Sequence, residues 1–155
     1  MRIFVSYSVD DLSVVDRIEK ALSPTVDVVY WNKSKEIGNG DWSTIWKWID
    51  SCDAVLALIT DKTVARGISV GQEVGYAVSK GKIIFPLVES SISQDKLGCL
   101  KGTTGESFDP LCPEKAMDSI KRALIRISDE KIKAFLWGVA IVVILVLVSK
   151  FLSKK

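Results

Sequence analysis

The 155-residue sequence contains no histidine. That absence excludes Ser-His and Cys-His catalysis, and with them every histidine-ligated metal site. Cysteine is scarce too. Cys52, Cys99 and Cys112 follow no paired metal spacing, so no metal is expected. Three thiols, with no secretory signal ahead of Arg2, predict a globular part that stays in a reducing, cytosolic compartment. Charge of one sign is also missing. Of 21 basic residues, three lysines follow Lys133, and none of the 19 acids does, which leaves the chain before that point with a net charge of −1. A nucleic-acid partner, which would need a basic face, is not expected.

What the chain does have is an alternation of strands and helices. Arg2 to Ser6 reads as a buried strand. Asp10 or Asp11 is placed to cap a helix with Leu12, Val15, Ile18 and Leu22 on one face, ended at Ser23-Pro24. Val26 to Trp31 is a second strand, followed by the polar loop Asn32 to Gly40. Asp41 would cap a helix bearing Trp42, Ile45, Trp46 and Ile49, whose spacing predicts that Trp42 and Trp46 are core residues. Ala54 to Ile59 is apolar throughout, as a strand covered on both faces would be. Ser69 would cap a helix closed by Gly81, with Thr60 to Ile68 as the loop before it. Lys82 to Val88 is a fourth strand, in which Pro86 implies an edge or a broken ladder. A short fifth strand near Ser107-Phe108 and a helix from Pro113 complete the series. The expected fold is α/β, a parallel sheet of four to five strands with helices on both faces. Ligands of such sheets bind at the carboxyl ends of the strands. Glu73, one turn into its helix, reaches that rim.

Four stretches together resemble a TIR domain of the bacterial and archaeal type. They are IFVSYSVDD at the start, the G-N-G-D-W of Gly38 to Trp42, SCDAVLALIT, and S-V-x-Q-E-V-G-Y-A followed by GKIIFPLV. The resemblance covers about the first 110 residues in order. It implies a flavodoxin-like sheet and, for some members, cleavage of NAD at the nicotinamide–ribose bond by one glutamate, whose position Glu73 occupies. NAD would be substrate rather than cofactor. Tyr7 and Ser8 would then lie beside the ribose or nicotinamide, Trp31 is a candidate for stacking on a base, and the Asn32 to Gly40 loop with Ile37 would govern self-association and access to the site. Many enzymatic members carry Trp four residues before the glutamate, where this chain has Ser69.

A single carboxylate suffices for that reaction. Breaking the bond creates an oxocarbenium-like centre, which a nearby negative charge stabilises, and nicotinamide leaves as a neutral molecule without a general acid. Two other functions fit the same residues. One is a non-catalytic scaffold acting through TIR–TIR contact. The other is a nucleoside deoxyribosyltransferase-like enzyme, since those enzymes resemble the E-x-G-x-A-x-x-x-G-K of Glu73 to Lys82.

The carboxyl-terminal part differs in kind. Ala134 to Val148 is apolar on every side, and with Ser149 to Leu152 the run reaches 19 residues. At 1.5 Å per residue that spans about 28 Å, the thickness of a hydrocarbon core. The expected organisation is a TIR domain over 1–128, a juxtamembrane linker over 129–133, one transmembrane helix over 134–152 and a tail over 153–155. The expected location is a membrane, crossed once, with the TIR domain cytoplasmic.

Overall fold

A computed structural model of the chain describes residues 1–23, 25–31, 42–66, 68–97 and 100–152, with backbone only at 66, 94, 131, 134, 135 and 138–152. The chain falls into two compact units, Met1–Lys121 and Arg122–Lys155.

In the first unit, five strands form one sheet in the order β2-β1-β3-β4-β5. They are β1 (Arg2–Ser6), β2 (Asp27–Val29), β3 (Ala54–Ile59), β4 (Ile83–Glu89) and β5 (Glu106–Phe108). Every pairing is parallel, with Ile3 opposite both Val28 and Ala54. All six residues of β3 are buried. Because successive side chains point to opposite faces, both faces of the sheet are covered at its centre. The helices are α1 (Leu12–Leu22), α2 (Trp42–Ser51), α3 (Asp61–Arg66), α4 (Ile68–Ser79) and α5 (Glu114–Leu152). Phe4, Val29, Ile49, Cys52, Val55 and Ala77 form one core cluster, and Ala57, Ile59, Val70, Val74, Leu97 and Leu100 another. Pro86 sits beside Ala57, but pairing with β5 begins only at Leu87. A residue without an N–H is therefore tolerated in a strand that is not an edge.

Several local expectations are corrected. Asp11 precedes α1 but makes no side-chain cap bond. Its carboxylate turns inward to Thr60 and Lys62 instead. The stretch from Thr60 to Ile68 is mostly the short helix α3 rather than a loop, and α4 begins at Ile68, so Ser69 lies inside the first turn instead of capping it. Strand β2 is limited to three residues, because its pairing with β1 runs only from Asp27 to Val29. Asp41, Gly38 to Gly40 and the whole Asn32 to Gly40 loop lie outside the described residues.

In the second unit the backbone of α5 is continuous through 129–133, so the expected linker is helical. Among the described residues no helix is long and apolar enough to cross a membrane. The side chains of 138–152, most of the expected span, lie outside the description.

Candidate functional site

The strand order reverses between β1 and β3, and a parallel sheet opens a crevice at that point. The sequence places polar residues there: Ser6 ends β1, Tyr7 and Ser8 follow it, and Thr63 and Ser69 come from the helices after β3. A cavity of about 280 Å³ occupies this crevice. Tyr7, Ser8 and Val9 line it from the end of β1, and Trp31 from beyond β2. Trp42 and Ile45 of α2 and Thr63 of α3 add to the walls, with Ser69, Val70 and Glu73 from α4.

Glu73 is only 8% exposed, because α4 buries Val70, Val74 and Ala77 on the adjoining face and rotates the carboxylate toward the sheet. There the Ser6 hydroxyl donates a hydrogen bond to Oε2 at 2.5 Å. No cation pairs with Glu73 among the described residues. Burial pushes its carboxyl up to about 7, and the Ser6 hydrogen bond counteracts only part of that. A carboxylate held near neutrality in a cleft, with no cationic side chain paired to it among the described residues, is placed to stabilise developing positive charge or to exchange a proton.

The structure brings Tyr7, Ser8, Trp31 and Glu73 together, as the sequence suggested, while Ile37 lies outside the described residues. Tyr7 packs edge-on against Tyr30 with centroids 6.1 Å apart, and Trp31 meets Trp48 at 5.7 Å. Two residues were not assigned to the site by sequence. Ser6 was read as the last residue of a buried strand, and only the approach of α4 reveals it as the glutamate's donor. Trp42 was read as core from its spacing with Ile45 and Ile49. It stands at the start of its helix, lines the cavity and is 38% exposed.

A larger cleft of about 470 Å³ lies on the other side of Thr63 and Val70, walled mainly by Ile59, Val64, Ile68, Val74, Leu97 and Leu100. Among its described lining residues there is no acid, and Lys96 is the one charged side chain. Its size exceeds that of the Glu73 cavity, but no carboxylate stands among its described lining residues.

Comparison with known proteins agrees with the geometry. No curated protein matches the sequence. Among solved structures the fold is similar to the TIR domains of the activated Roq1 resistosome, which directly recognises the pathogen effector XopQ. The TM-score is 0.53 at 14% identity, over 83% of this chain and 75% of that one. The TIR domain profile matches residues 3–125, from the first strand through the start of the last helix and across every element that builds the Glu73 cavity. The chain therefore belongs to the TIR domain family.

Proposed function

We propose that this protein is an NAD-cleaving TIR domain of the prokaryotic type, in which Glu73 stabilises the ribosyl cation formed as nicotinamide leaves. The observation that supports this reading is the buried carboxylate with no cation beside it among the described residues, set in an aromatic-lined cavity at the switch point of the sheet. Burying a lone negative charge is unfavourable. An oxidised nicotinamide nucleotide supplies the missing positive charge, and binding it lowers the carboxyl toward its ionised form. The C1′–N bond then breaks, its electron pair passes to the ring nitrogen, and neutral nicotinamide departs. Water adds its oxygen to C1′ and releases one proton, giving ADP-ribose; attack by the adenine would give a cyclic product instead. Tyr7 and Ser8 flank the ribose in this reading.

The cavity is at or below the low end of ligand-site volumes, about 300–1,000 Å³, and takes part of a dinucleotide rather than the whole. A neighbouring subunit, brought in through the Asn32 to Gly40 loop and Ile37, would complete the site. The apolar run Ala134 to Leu152 would anchor the chain once in a membrane with the TIR domain cytoplasmic, raising the local concentration of domains for that assembly. A signalling or defence role follows from this reading. Ser69, standing where many enzymatic members carry Trp, favours the second reading, a scaffold that acts through TIR–TIR contact alone.

The decisive experiment is release of nicotinamide from NAD by membrane-reconstituted full-length protein. Glu73→Gln keeps size and helix propensity while removing the charge, and turnover is expected to fall at least about 100-fold. Equal turnover by parent and variant removes Glu73 from the mechanism. No turnover by either, with signalling intact in both, establishes the scaffold. Preference for deoxynucleosides over NAD in competition establishes the transferase. Placing Arg at Val143 tests the anchor, because it costs about 2.5–3.5 kcal/mol on insertion scales. Unchanged retention in membranes after Val143→Arg excludes a span there.

A further inference from the structure

Trp42 is neither a core residue nor an isolated surface aromatic. Its ring is stacked on Trp46, with centroids 5.0 Å apart and planes at 28°. Trp46 is stacked in turn on Tyr76 at 4.2 Å and 26°. Tyr76 belongs to α4, the helix that carries Glu73, and is itself fixed: its hydroxyl donates to Asp50 at 3.0 Å, and the Lys80 ammonium lies 5.2 Å from its ring centroid. A three-ring stack therefore runs from the helix of the carboxylate to the cavity wall, and its last ring is 38% exposed. Trp31 lines the same cavity and meets Trp48 at 5.7 Å with planes at 57°. Leaving a large indole open to water forgoes burial of its apolar surface, which is offset if a flat ligand covers it.

We propose that Trp42 is the platform on which the pyridinium ring of the substrate stacks, and that it makes the cavity prefer a cationic N-substituted pyridine over a neutral one. This deepens the NAD-cleavage reading and rests on it. The electron-rich face of an indole attracts a cation more than a neutral ring of the same shape. The positive charge sits on the ring in the bound substrate and moves to the ribosyl carbon as the bond breaks. Trp42 therefore acts most strongly on the ground state, and loses its hold on nicotinamide once that is neutral, which favours release. A group of this kind sets KM more than kcat. Trp42 grips the departing ring, and Glu73 stabilises the carbon left behind.

The test uses full-length protein and two probes, 1-methylnicotinamide cation and neutral nicotinamide, with binding followed by ligand NMR. NAD kinetics are measured alongside. Trp42→Leu keeps apolar bulk without a π-face, and Trp42→Phe restores a ring; thermal melts establish that both are folded. In the parent, the cation binds at least about fivefold tighter than the neutral probe. Trp42→Leu lowers that preference at least about threefold, leaving the part that the Glu73 carboxylate supplies, and raises KM about tenfold with kcat changed less than about threefold, while Trp42→Phe recovers most of both. If the parent cleaves NAD and Trp42→Leu leaves KM and the cation preference intact, the role of Trp42 is overturned and the Glu73 reaction stands. If the parent binds neither probe and cleaves no NAD, both fall together.

Discussion

Two acids are buried at the same edge of this sheet, and they are treated in opposite ways. Asp11, 1% exposed, accepts hydrogen bonds from the Thr60 hydroxyl at 2.5 Å and from the Lys62 ammonium at 3.0 Å, and Thr63 lies against Thr60 at 3.3 Å. That network joins the end of β1 to the end of β3 through α3. Pairing with Asp11 holds the Lys62 ammonium above its ordinary value. Glu73, in the crevice, has one hydroxyl donor and no cation among the described residues. A compensated buried charge holds elements together; an uncompensated one costs stability and is retained where a ligand or transition state supplies the missing charge. The chain presents both arrangements at the carboxyl ends of its strands, and their difference separates the framework from the candidate chemistry.

The sharpest way to break this contrast is to neutralise each acid. Asp11→Ala is expected to leave Thr60 without its acceptor and to lose about 1.5–3 kcal/mol of stability, with turnover per folded molecule little changed. Glu73→Gln is expected to do the reverse, abolishing turnover while stabilising the fold at alkaline pH. Because folding raises the carboxyl of Glu73 from 4.5 to about 7, the folded chain binds that proton more tightly than the unfolded one. Its contribution is fully present below about 4.5, declines as pH rises toward 7 and is lost above it. At pH 8 the glutamine variant should therefore gain about 3 kcal/mol relative to parent, and this gain should vanish at pH 4. Denaturant melts at the two pH values check it. A glutamine variant no more stable than parent at pH 8 would mean that Glu73 carries no strain.

How far this contrast was legible in the sequence depends on what each residue's role rests on. Helical spacing and apolar runs are local, and they located β1, α1, α2, β3, α4 and β4 to within a few residues. Position at the strand ends, together with the resemblance, singled out Glu73, and the resemblance placed Tyr7 and Ser8 beside the ligand. Roles that depend on tertiary approach are not legible in this way. Asp11 read as a helix cap, since Asp before an apolar stripe is the usual cap signal, yet its partners are 49 and 51 residues away in sequence. Ser6 lies in the strand expected of it, but nothing local shows that its hydroxyl meets a carboxylate 67 residues distant. Trp42 matched the buried face of α2 by period. Period gives the direction of a side chain, not whether the sheet extends far enough to cover it. A cavity wall at the end of a helix escapes that kind of pattern.

The pH dependence of turnover sharpens the comparison at intermediate strength. An electrostatic stabiliser must be ionised, and kcat/KM reports the free enzyme, in which burial holds Glu73 at about 7. Between pH 6 and pH 8, kcat/KM for NAD should therefore rise about tenfold along a single ionisation, since no histidine is present to add a second one in this range. Dependence on kcat should be weaker, because the cationic ring in the bound complex already favours the ionised carboxylate. A flat kcat/KM profile across this interval would place the ionising group outside the cavity, and the distinction between the two acids would lose its functional meaning.

The smallest expected effect comes from the one hydrogen bond the carboxylate keeps. Ser6 is fully buried at the end of β1, and its hydroxyl favours the ionised form of Glu73 against the burial that opposes it. Ser6→Ala removes that donor and little volume, so the fold should persist, but the carboxyl should move further up. Turnover is expected to fall about fivefold at pH 7, where fewer molecules carry the charge, and to approach the parent's at pH 9, where both are ionised. Ser6 acts here as a positioning residue, working through Glu73 without touching substrate, and recovery at high pH is the signature of that role. A loss that persists undiminished at pH 9 would mean that Ser6 holds the geometry of Glu73 rather than its charge. The donor would then belong with Thr60 and Thr63 in the framework, and Glu73 would stand as the one group in the crevice whose role is electrostatic.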